Sequence, residues 1–248
     1  IKMKVTLISN YLDDTAVASF ARKSFNDDAA KYTDAQNAQL IKYLARGVPT
    51  SDWEQMEEDV VSTTSLGKAH NLLTYARSIP CHFAPFGHPQ ISLSLEAPVP
   101  IARQMFKHKV GFIESEESRR YISVKPQFFY PEIWRDAAAN VKQGSATTTH
   151  KDNEELKTLY ADCCDYCEYM YTDFLNRGVC PEQARFLLPQ GTEVRWSLTG
   201  SLFAFANLYN QRSDSHAQKE IQDLAEDIGD IIEKLYPVSW AALTRGEY

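Results

Sequence analysis

The sequence predicts an α+β fold in which a modest, mainly antiparallel twisted sheet is flanked by several helices. Residues 3–9 and 91–96 alternate between apolar and polar side chains, which is the period of a half-buried strand. Residues 153–177 repeat apolar side chains every three or four positions, which is the period of an amphipathic helix. No linker divides the chain, so we expect a single domain over residues 1–248.

The first third of the chain is expected to be mostly helical after its initial strand. A helix is predicted over 13–23, and Thr33 is placed to cap a second helix that ends at Gly47. The stretch 48–64 is polar and acidic and has no clear period, so we interpret it as a surface insertion. Residues 65–78 return to a helical pattern.

The remaining elements follow from Pro, Gly and the apolar period. Two prolines after the strand at 91–96 introduce a short helix that ends near Lys109, because proline is tolerated in a first helical turn. Gly111 then permits a turn. The further expectations are a strand at 119–125, a loop at 136–153, and helices at 153–177, 192–211 and 214–235.

Composition and charge exclude several classes of protein. The chain has 248 residues and a net charge of −7, whereas proteins that coat nucleic-acid polymers present basic surfaces. No apolar run approaches the roughly 18–20 residues of a membrane span, and no secretory signal follows the first residues. Five cysteines, an odd number, favour a reducing compartment. We therefore expect a cytoplasmic protein, or one of the host cytoplasm if the source is viral.

Neither the cysteines nor the paired histidines predict a metal site. A zinc site normally needs four ligands, and the Cys163–Cys167 cluster has only two distant cysteines as partners. Cys163 and Cys167 also fall on the apolar stripe of the predicted helix, so we expect both to pack in the core. His82 and His88 lie in a turn without a third ligand nearby in sequence.

A basic segment at 103–125 stands out in this acidic chain. It holds six Lys and Arg residues against three Glu residues, and His108 lies between two of the lysines. Arginine gives forked two-point contacts to phosphate oxygens, so the segment suits a phosphate or an anionic cofactor. A solvated basic face is the alternative. Near the C-terminus, Ser213 or Asp214 can cap a helix whose start would favour an anion.

Taken in order, these segments resemble flavin-dependent thymidylate synthase, the ThyX family. The segment 107–109 corresponds to the family's R-H-R block, and 115–121 corresponds to its N-E-x-S-x-R-Y block. Both arginines of the first block are lysines here. The other matching segments are 21–25, 82–88, 102–104, 184–189 and 212–221. The resemblance covers most of the chain and implies a ThyX-like fold.

The resemblance implies a reaction and its participants. The family converts dUMP to dTMP, takes the carbon from methylenetetrahydrofolate, and uses FAD reduced by NADPH as the hydride donor. It also works as a homotetramer with active sites shared between subunits. We therefore expect an enzyme, with FAD as cofactor and with dUMP, NADPH and the folate as its small-molecule partners.

Site residues are carried over from the family's motifs position by position. Arg212 and Ser118 are the expected catalytic residues. The resemblance places Arg212 at the uracil edge, where it can stabilise negative charge that develops on the pyrimidine. Ser118 is expected to bind substrate rather than act as a nucleophile, because no His-Asp pair adjoins it in sequence. The resemblance places the following residues around dUMP: Gln104, Glu116, Ser118, Arg119, Arg120, Arg185 and Arg212. It places a second set around the flavin: Ser24, His82, Lys107, His108, Lys109, Asn207 and His216.

Two other functions fit the sequence. One is a pyrimidine nucleotide hydroxymethylase that uses the same folate and flavin, since Lys107, Lys109 and Phe203 depart from the family pattern. The other is a non-catalytic nucleotide-binding protein that uses the basic segment. The chemical identity of the product distinguishes the hydroxymethylase from a thymidylate synthase. Bound flavin distinguishes a thymidylate synthase from the non-catalytic binder.

Overall fold

The computed structural model describes residues 3–46, 81–138 and 145–244 of the chain. The predicted insertion at 48–64 and the predicted helix at 65–78 lie outside these residues. The described part combines helices with antiparallel sheet, which confirms the predicted α+β class. None of its helices is both long enough and apolar enough to cross a bilayer.

Strands form two sheets in the described residues. The larger sheet has four strands in the order β1-β2-β6-β3, and the smaller one is an antiparallel pair of β4 and β5. The strands are β1 (Lys4–Tyr11), β2 (Gln90–Pro98), β3 (Phe112–Glu116), β4 (Arg135–Ala137), β5 (Ser145–Thr149) and β6 (Glu193–Ser201).

Helices make up most of the remaining structure. They are α1 (Asp14–Lys23), α2 (Asp34–Arg46), α3 (Ala84–Gly87), α4 (Val99–Met105), α5 (Asn153–Asn176), α6 (Pro181–Ala184), α7 (Leu202–Arg212), α8 (Lys219–Leu235) and α9 (Pro237–Thr244). Short 3-10 turns lie at Ala29–Lys31 and Arg185–Leu187.

The chain divides into two compact units, each assembled from three separated stretches of sequence. The first unit contains Ile1–Ile8, Ser92–Thr199 and Gln211–Asp227, and the second contains Ser9–Ile91, Gly200–Asn210 and Ile228–Tyr248. A single catalytic domain over the whole chain stays a prediction.

The first unit is built around the four-stranded sheet. In β6, Val194, Trp196 and Leu198 are buried while Arg195 and Ser197 are exposed, as period-two alternation requires. Helix α4 adds its own buried side chains, Ile101, Ala102 and Met105. Tyr171 of α5 is also buried. Burial of such side chains is the main favourable term in folding.

The second unit is a helical assembly. Val17, Ala18 and Ala21 form the buried stripe of α1, and Ile41 and Leu44 form that of α2. The Asp14 carboxylate accepts hydrogen bonds from the backbone N–H groups of Val238 (2.8 Å) and Ser239 (3.0 Å). These donors belong to the first turn of α9 and have no partner within that helix, so Asp14 satisfies them from another element.

Three predicted elements were wrong. Residues 193–201 form strand β6 instead of the start of a helix over 192–211, because the apolar side chains before Gly200 alternate strictly. No strand forms at 119–125; the neighbouring strand is β3, which ends at Glu116. The predicted loop at 136–153 contains β5 and the last residues of β4, which pair despite their small polar side chains.

Two finer expectations were also wrong. Helix α8 begins at Lys219 rather than at 214, because Asp214 accepts the backbone N–H of His216 (2.8 Å) in a turn that precedes the helix. Cys163 is exposed and Cys167 is half-buried, whereas the neighbouring Cys164 is completely buried. The apolar stripe of α5 is therefore rotated by about one residue from the predicted one.

Gly191 is expected to be essential for local packing. A Cβ atom at this position would overlap the hydroxyl of Tyr160, which donates a hydrogen bond to the carbonyl of Phe129 (3.0 Å). Gly191→Ala should therefore displace Tyr160 and lower the free energy of unfolding by about 1–3 kcal/mol. Chemical denaturation measures this change.

Gly87→Ala is the matched control, because no described atom lies within 4 Å of its added Cβ and Gly87 is helical. Alanine there should be neutral or slightly stabilising. Equal stability of Gly191→Ala and wild type would show that Tyr160 does not occupy the position described.

Candidate active site

A cleft of about 690 Å³ in the first unit collects many of the predicted substrate residues. Its walls come from α4, the end of β3 with the following turn, and the segment after α6. The side chains of Glu116, Ser118, Arg119 and Arg185 line it together. A cleft of this size and polarity can hold a mononucleotide.

Arg119 presents an unsatisfied donor in this cleft. Its Nη1 donates to the carbonyl of Val124 (2.8 Å), but its Nε is buried without a hydrogen-bond partner among the described residues. Arg119 nevertheless lines the cleft and contributes positive charge to it. Phosphate oxygens accept strong, charge-assisted hydrogen bonds from arginine.

Arg185 lies at the start of the 3-10 turn that follows α6. Its Nε donates to the carbonyl of Glu182 (3.2 Å), which orients the side chain. Its terminal nitrogens make no hydrogen bond within the described part of the chain. Arg185 therefore keeps its forked end available for an anion in the cleft.

Ser118 has the surroundings of a binding residue. Its hydroxyl oxygen accepts from the backbone N–H of Arg120 (3.4 Å), and no histidine or carboxylate side chain in the described residues is hydrogen-bonded to it. A serine nucleophile requires an adjacent base. The environment of Ser118 thus favours ligand binding over nucleophilic attack.

Two carboxylates balance part of the positive charge. Glu116 and Glu117 both line the cleft. Burial and the charge of Glu117 raise the pKa of Glu116, although Arg103 and Arg185 act in the opposite direction. The two carboxylates therefore offset part of the charge that the arginines bring to the cleft.

A second cluster surrounds Arg212, the last residue of α7. Its Nε donates to Nε2 of His108 (2.8 Å), and its Nη2 donates to the carbonyl of Gln104 (3.1 Å) near the end of α4. Burial and the nearby Arg212 charge lower the pKa of His108, so the imidazole is neutral at physiological pH. Because Nε2 accepts, the proton of the neutral ring lies on Nδ1.

Some predicted residues of the first unit lie outside the cleft lining. Arg120 pairs with Glu182, with 3.2 Å between Nε and Oε1. The Gln104 side chain donates to Gln218 (2.8 Å). Lys107 and Lys109 are exposed, and Lys109 pairs with Glu114. His216 is exposed and contacts Asp214 (2.9 Å).

Three predicted flavin residues belong to the second unit. Ser24 ends α1 and donates to the carbonyl of Ala21 (2.7 Å). His82 is exposed and stacks on Tyr43, with ring centroids 5.6 Å apart. Asn207 is exposed on α7. Their roles toward a flavin stay predictions.

The predicted set omitted several residues that line the cleft, among them Arg103, Phe186 and Gln190. Arg103 donates to Gln190 (3.1 Å). Helical period could have identified Arg103, because Val99, Arg103 and Phe106 share one face of α4 and line the cleft. Nothing in the sequence marks Gln190, and Phe186 is notable only as the neighbour of Arg185.

Within the described residues, no group of three or more His, Cys, Asp or Glu side chains is arranged to hold a metal ion.

The chain is similar in sequence to proteins of a known family. The family model described as Thymidylate synthase complementing protein matches residues 6–238. A flavin-dependent thymidylate synthase from Thermosipho africanus is 32% identical over 171 residues, which are 67% of this chain and 73% of that protein. A protein of the same name from Thermus thermophilus is 29% identical over 241 residues, which are 96% of this chain and 74% of that protein.

A solved structure shows the same fold. The UMP/dUMP methylase PolB from Streptomyces cacaoi, bound with 5-Br dUMP, has a TM-score of 0.77 at 24% identity and covers 98% of this chain and 95% of its own. Given the family match over nearly the whole sequence and the cleft that collects its motif residues, the chain belongs to the Thymidylate synthase complementing protein family.

Proposed function

We propose that the protein is a flavin-dependent thymidylate synthase, a methyltransferase that converts dUMP to dTMP. The single observation that carries the proposal is the arginine cleft. There, Ser118, Arg119 and Arg185 line one cleft, and the forked end of Arg185 has no hydrogen-bond partner among the described residues. The relatives named flavin-dependent thymidylate synthase support this activity over a hydroxymethylase or a non-catalytic binder.

The cleft is suited to the phosphate of dUMP. A nucleotide monophosphate carries about two negative charges at neutral pH, and charge-assisted hydrogen bonds from arginine are stronger than those between neutral groups. Arg119 and Arg185 supply the charge, and Ser118 supplies a hydroxyl. Glu116 also lines the cleft, where its carboxylate can accept a hydrogen bond from the sugar or the base.

Arg212 is suited to the uracil ring. Burial lowers the pKa of its guanidinium, but an arginine remains protonated at neutral pH. Its contacts with His108 and with the carbonyl of Gln104 fix the guanidinium before substrate binds. A fixed cation stabilises negative charge that develops on the pyrimidine without reorganisation during the reaction.

The residues present fit an anionic flavin nucleotide. Lys107 and Lys109 are exposed on both sides of the neutral His108, which gives two cations and a ring N–H donor for a diphosphate and a flavin edge. FAD would supply the hydride chemistry, which no side chain can. Ser24, His82, Asn207 and His216 are further candidate contacts. Lysine retains the charge of the family's arginines but lacks their planar fork.

NADPH and methylenetetrahydrofolate are the proposed co-substrates, on the basis of the family's reaction. The protein is also proposed to act as a cytoplasmic homotetramer with shared active sites. This arrangement would account for binding motifs that are scattered from residue 24 to residue 216 of the chain.

Mass spectrometry of the product tests the proposed activity. Purified protein with FAD, NADPH, methylenetetrahydrofolate and dUMP should yield dTMP, and the reaction should stop when any of the four is omitted. Purified protein should also show flavin absorbance after incubation with FAD. A product that carries only a hydroxymethyl group, or protein that takes up no flavin and forms no product, would contradict the proposal.

A further inference from the structure

A series of hydrogen bonds leads from a half-buried ion pair through the side chains of Gln218 and Gln104, and the backbone carbonyl of Gln104 then accepts from Arg212. Arg135 Nη2 donates to Glu220 Oε1 (2.5 Å), and Glu220 Oε2 accepts from Gln218 Nε2 (2.8 Å). Gln218 Oε1 accepts from Gln104 Nε2 (2.8 Å), and the carbonyl of Gln104 accepts from Arg212 (3.1 Å). We call Arg135, Glu220, Gln218 and Gln104 the relay.

The far end of the relay is firmly held. The side chains of Arg135 and Glu220 are only 17% and 14% exposed. Burial alone would raise the pKa of Glu220, but hydrogen bonds from Arg135 and Gln218 lower it, so the group is a carboxylate at neutral pH. Arg135 is fixed in turn by a hydrogen bond from its Nε to the Ser145 hydroxyl (2.7 Å).

The charge of Glu220 determines the direction of every bond that follows. A carboxylate only accepts hydrogen bonds, so Gln218 must turn its amide nitrogen toward Glu220. The Gln218 oxygen then faces Gln104, which must present its own amide nitrogen. An amide flip at Gln218 would turn its oxygen toward the Glu220 carboxylate and its nitrogen toward that of Gln104, so both hydrogen bonds would be lost.

The near end of the relay bears directly on Arg212. Gln104 lies in the last turn of α4, and its backbone carbonyl accepts from the backbone N–H of Lys107 (3.3 Å) as well as from Arg212 (3.1 Å). Gln218 and Arg212 bracket the segment 213–217 that joins α7 to α8. Anchoring Gln104 to Gln218 therefore fixes both the acceptor of Arg212 and the chain that follows it.

We propose that Glu220, Gln218 and Arg135 are positioning residues that hold Arg212 in the orientation required for the reaction. The inference rests on the proposed function, because it assigns Arg212 to the pyrimidine. None of the three acts on the substrate directly; each acts through Gln104.

A double-mutant cycle tests the inference. Gln218→Leu removes the link, and we expect kcat to fall about five- to tenfold with a smaller change in KM for dUMP, because transition-state stabilisation by Arg212 is what is lost. In the Arg212→Ala background, the same substitution should change kcat by less than about twofold, since nothing remains to be positioned. A loss of equal size in both backgrounds, or no loss in the wild-type background, would overturn the inference.

Gln222→Leu is the matched control. The Gln222 side chain donates to the carbonyl of Ala217 (2.7 Å) in the same connecting segment, and its described side-chain hydrogen bonds do not involve the relay. Its backbone N–H donates to the carbonyl of Gln218 (3.1 Å), a bond that the substitution retains. The substitution should leave kcat within about twofold of wild type. If Gln222→Leu lowers kcat as much as Gln218→Leu does, general loosening of the segment explains the effect. That result would overturn the inference.

A rescue variant tests the direction of the bonds. Glu220→Gln should lower kcat, because a glutamine side chain cannot accept from Arg135 and Gln218 with both of its terminal atoms. Adding Gln218→Glu should restore most of the activity, since the new carboxylate can accept from the amide introduced at position 220 and from Gln104. If kcat does not recover in this exchanged pair, the inference is overturned. Wild-type turnover tests the proposed function separately, so failure of one is distinguishable from failure of the other.

Discussion

Replacing Arg212 by alanine should lower kcat for dTMP formation by about 10²–10³-fold, which is the size expected for loss of a preorganised group that stabilises developing charge. Arg212 is positioned by His108 and by the carbonyl of Gln104, so its guanidinium is oriented before substrate arrives. Steady-state kinetics at saturating dUMP measures the change. Arg212→Lys should recover only part of the rate, because lysine keeps the charge but cannot bond His108 and the carbonyl in one plane.

Circular dichroism and thermal unfolding serve as the control for folding of the Arg212 variants. An Arg212→Ala protein that is folded and has kcat within about tenfold of wild type would remove Arg212 from the chemistry. The relay would then have no catalytic residue to position.

Replacing Arg185 by alanine should weaken dUMP binding about ten- to a hundredfold. The forked end of Arg185 has no other hydrogen-bond partner in the described residues, so the substitution removes a phosphate contact and breaks only the hydrogen bond from Nε to the carbonyl of Glu182. A charge-assisted hydrogen bond contributes about 1.5–3 kcal/mol, which corresponds to this range of affinity. Equilibrium titration with dUMP measures the dissociation constant directly.

Arg177→Ala is the matched control for the Arg185 variant. Arg177 is also an exposed arginine and pairs with Asp173 (2.8 Å) at the end of α5, where it does not line the cleft. Its loss should leave the affinity for dUMP unchanged. Equal weakening by both substitutions would indicate a general effect of net charge rather than a phosphate contact at Arg185.

Much of the fold could be predicted because the clearest repeats of apolar side chains each lie within a single helix or strand. Helix α5 begins at Asn153 and ends one residue before the predicted boundary, and Gly178 adopts a positive φ after it as a helix stop requires. Strand β2 matches its alternating run. Strand β6 was mistaken for helix because its apolar side chains run without a break into those of α7, and periodicity alone separates such runs poorly.

The candidate site was predictable to the extent that its residues are charged and lie in recognisable motifs. Ser118 and Arg119 lie in one cleft with Arg185, although Arg185 is distant from them in sequence. Gln218 and Arg135 were not identified, because their importance depends on a network of contacts that sequence spacing does not reveal. Motifs indicate which residues meet a ligand, whereas the residues that position them emerge only from the fold.

A crystal structure with 5-bromo-dUMP tests the central claim most directly, since the anomalous signal of bromine locates the pyrimidine without any assumption about its pose. We predict that the nucleotide phosphate lies within hydrogen-bond distance of Arg119 and Arg185 and that the uracil edge lies at Arg212. An ordered nucleotide bound elsewhere, with no contact to Arg119, Arg185 or Arg212, would contradict it.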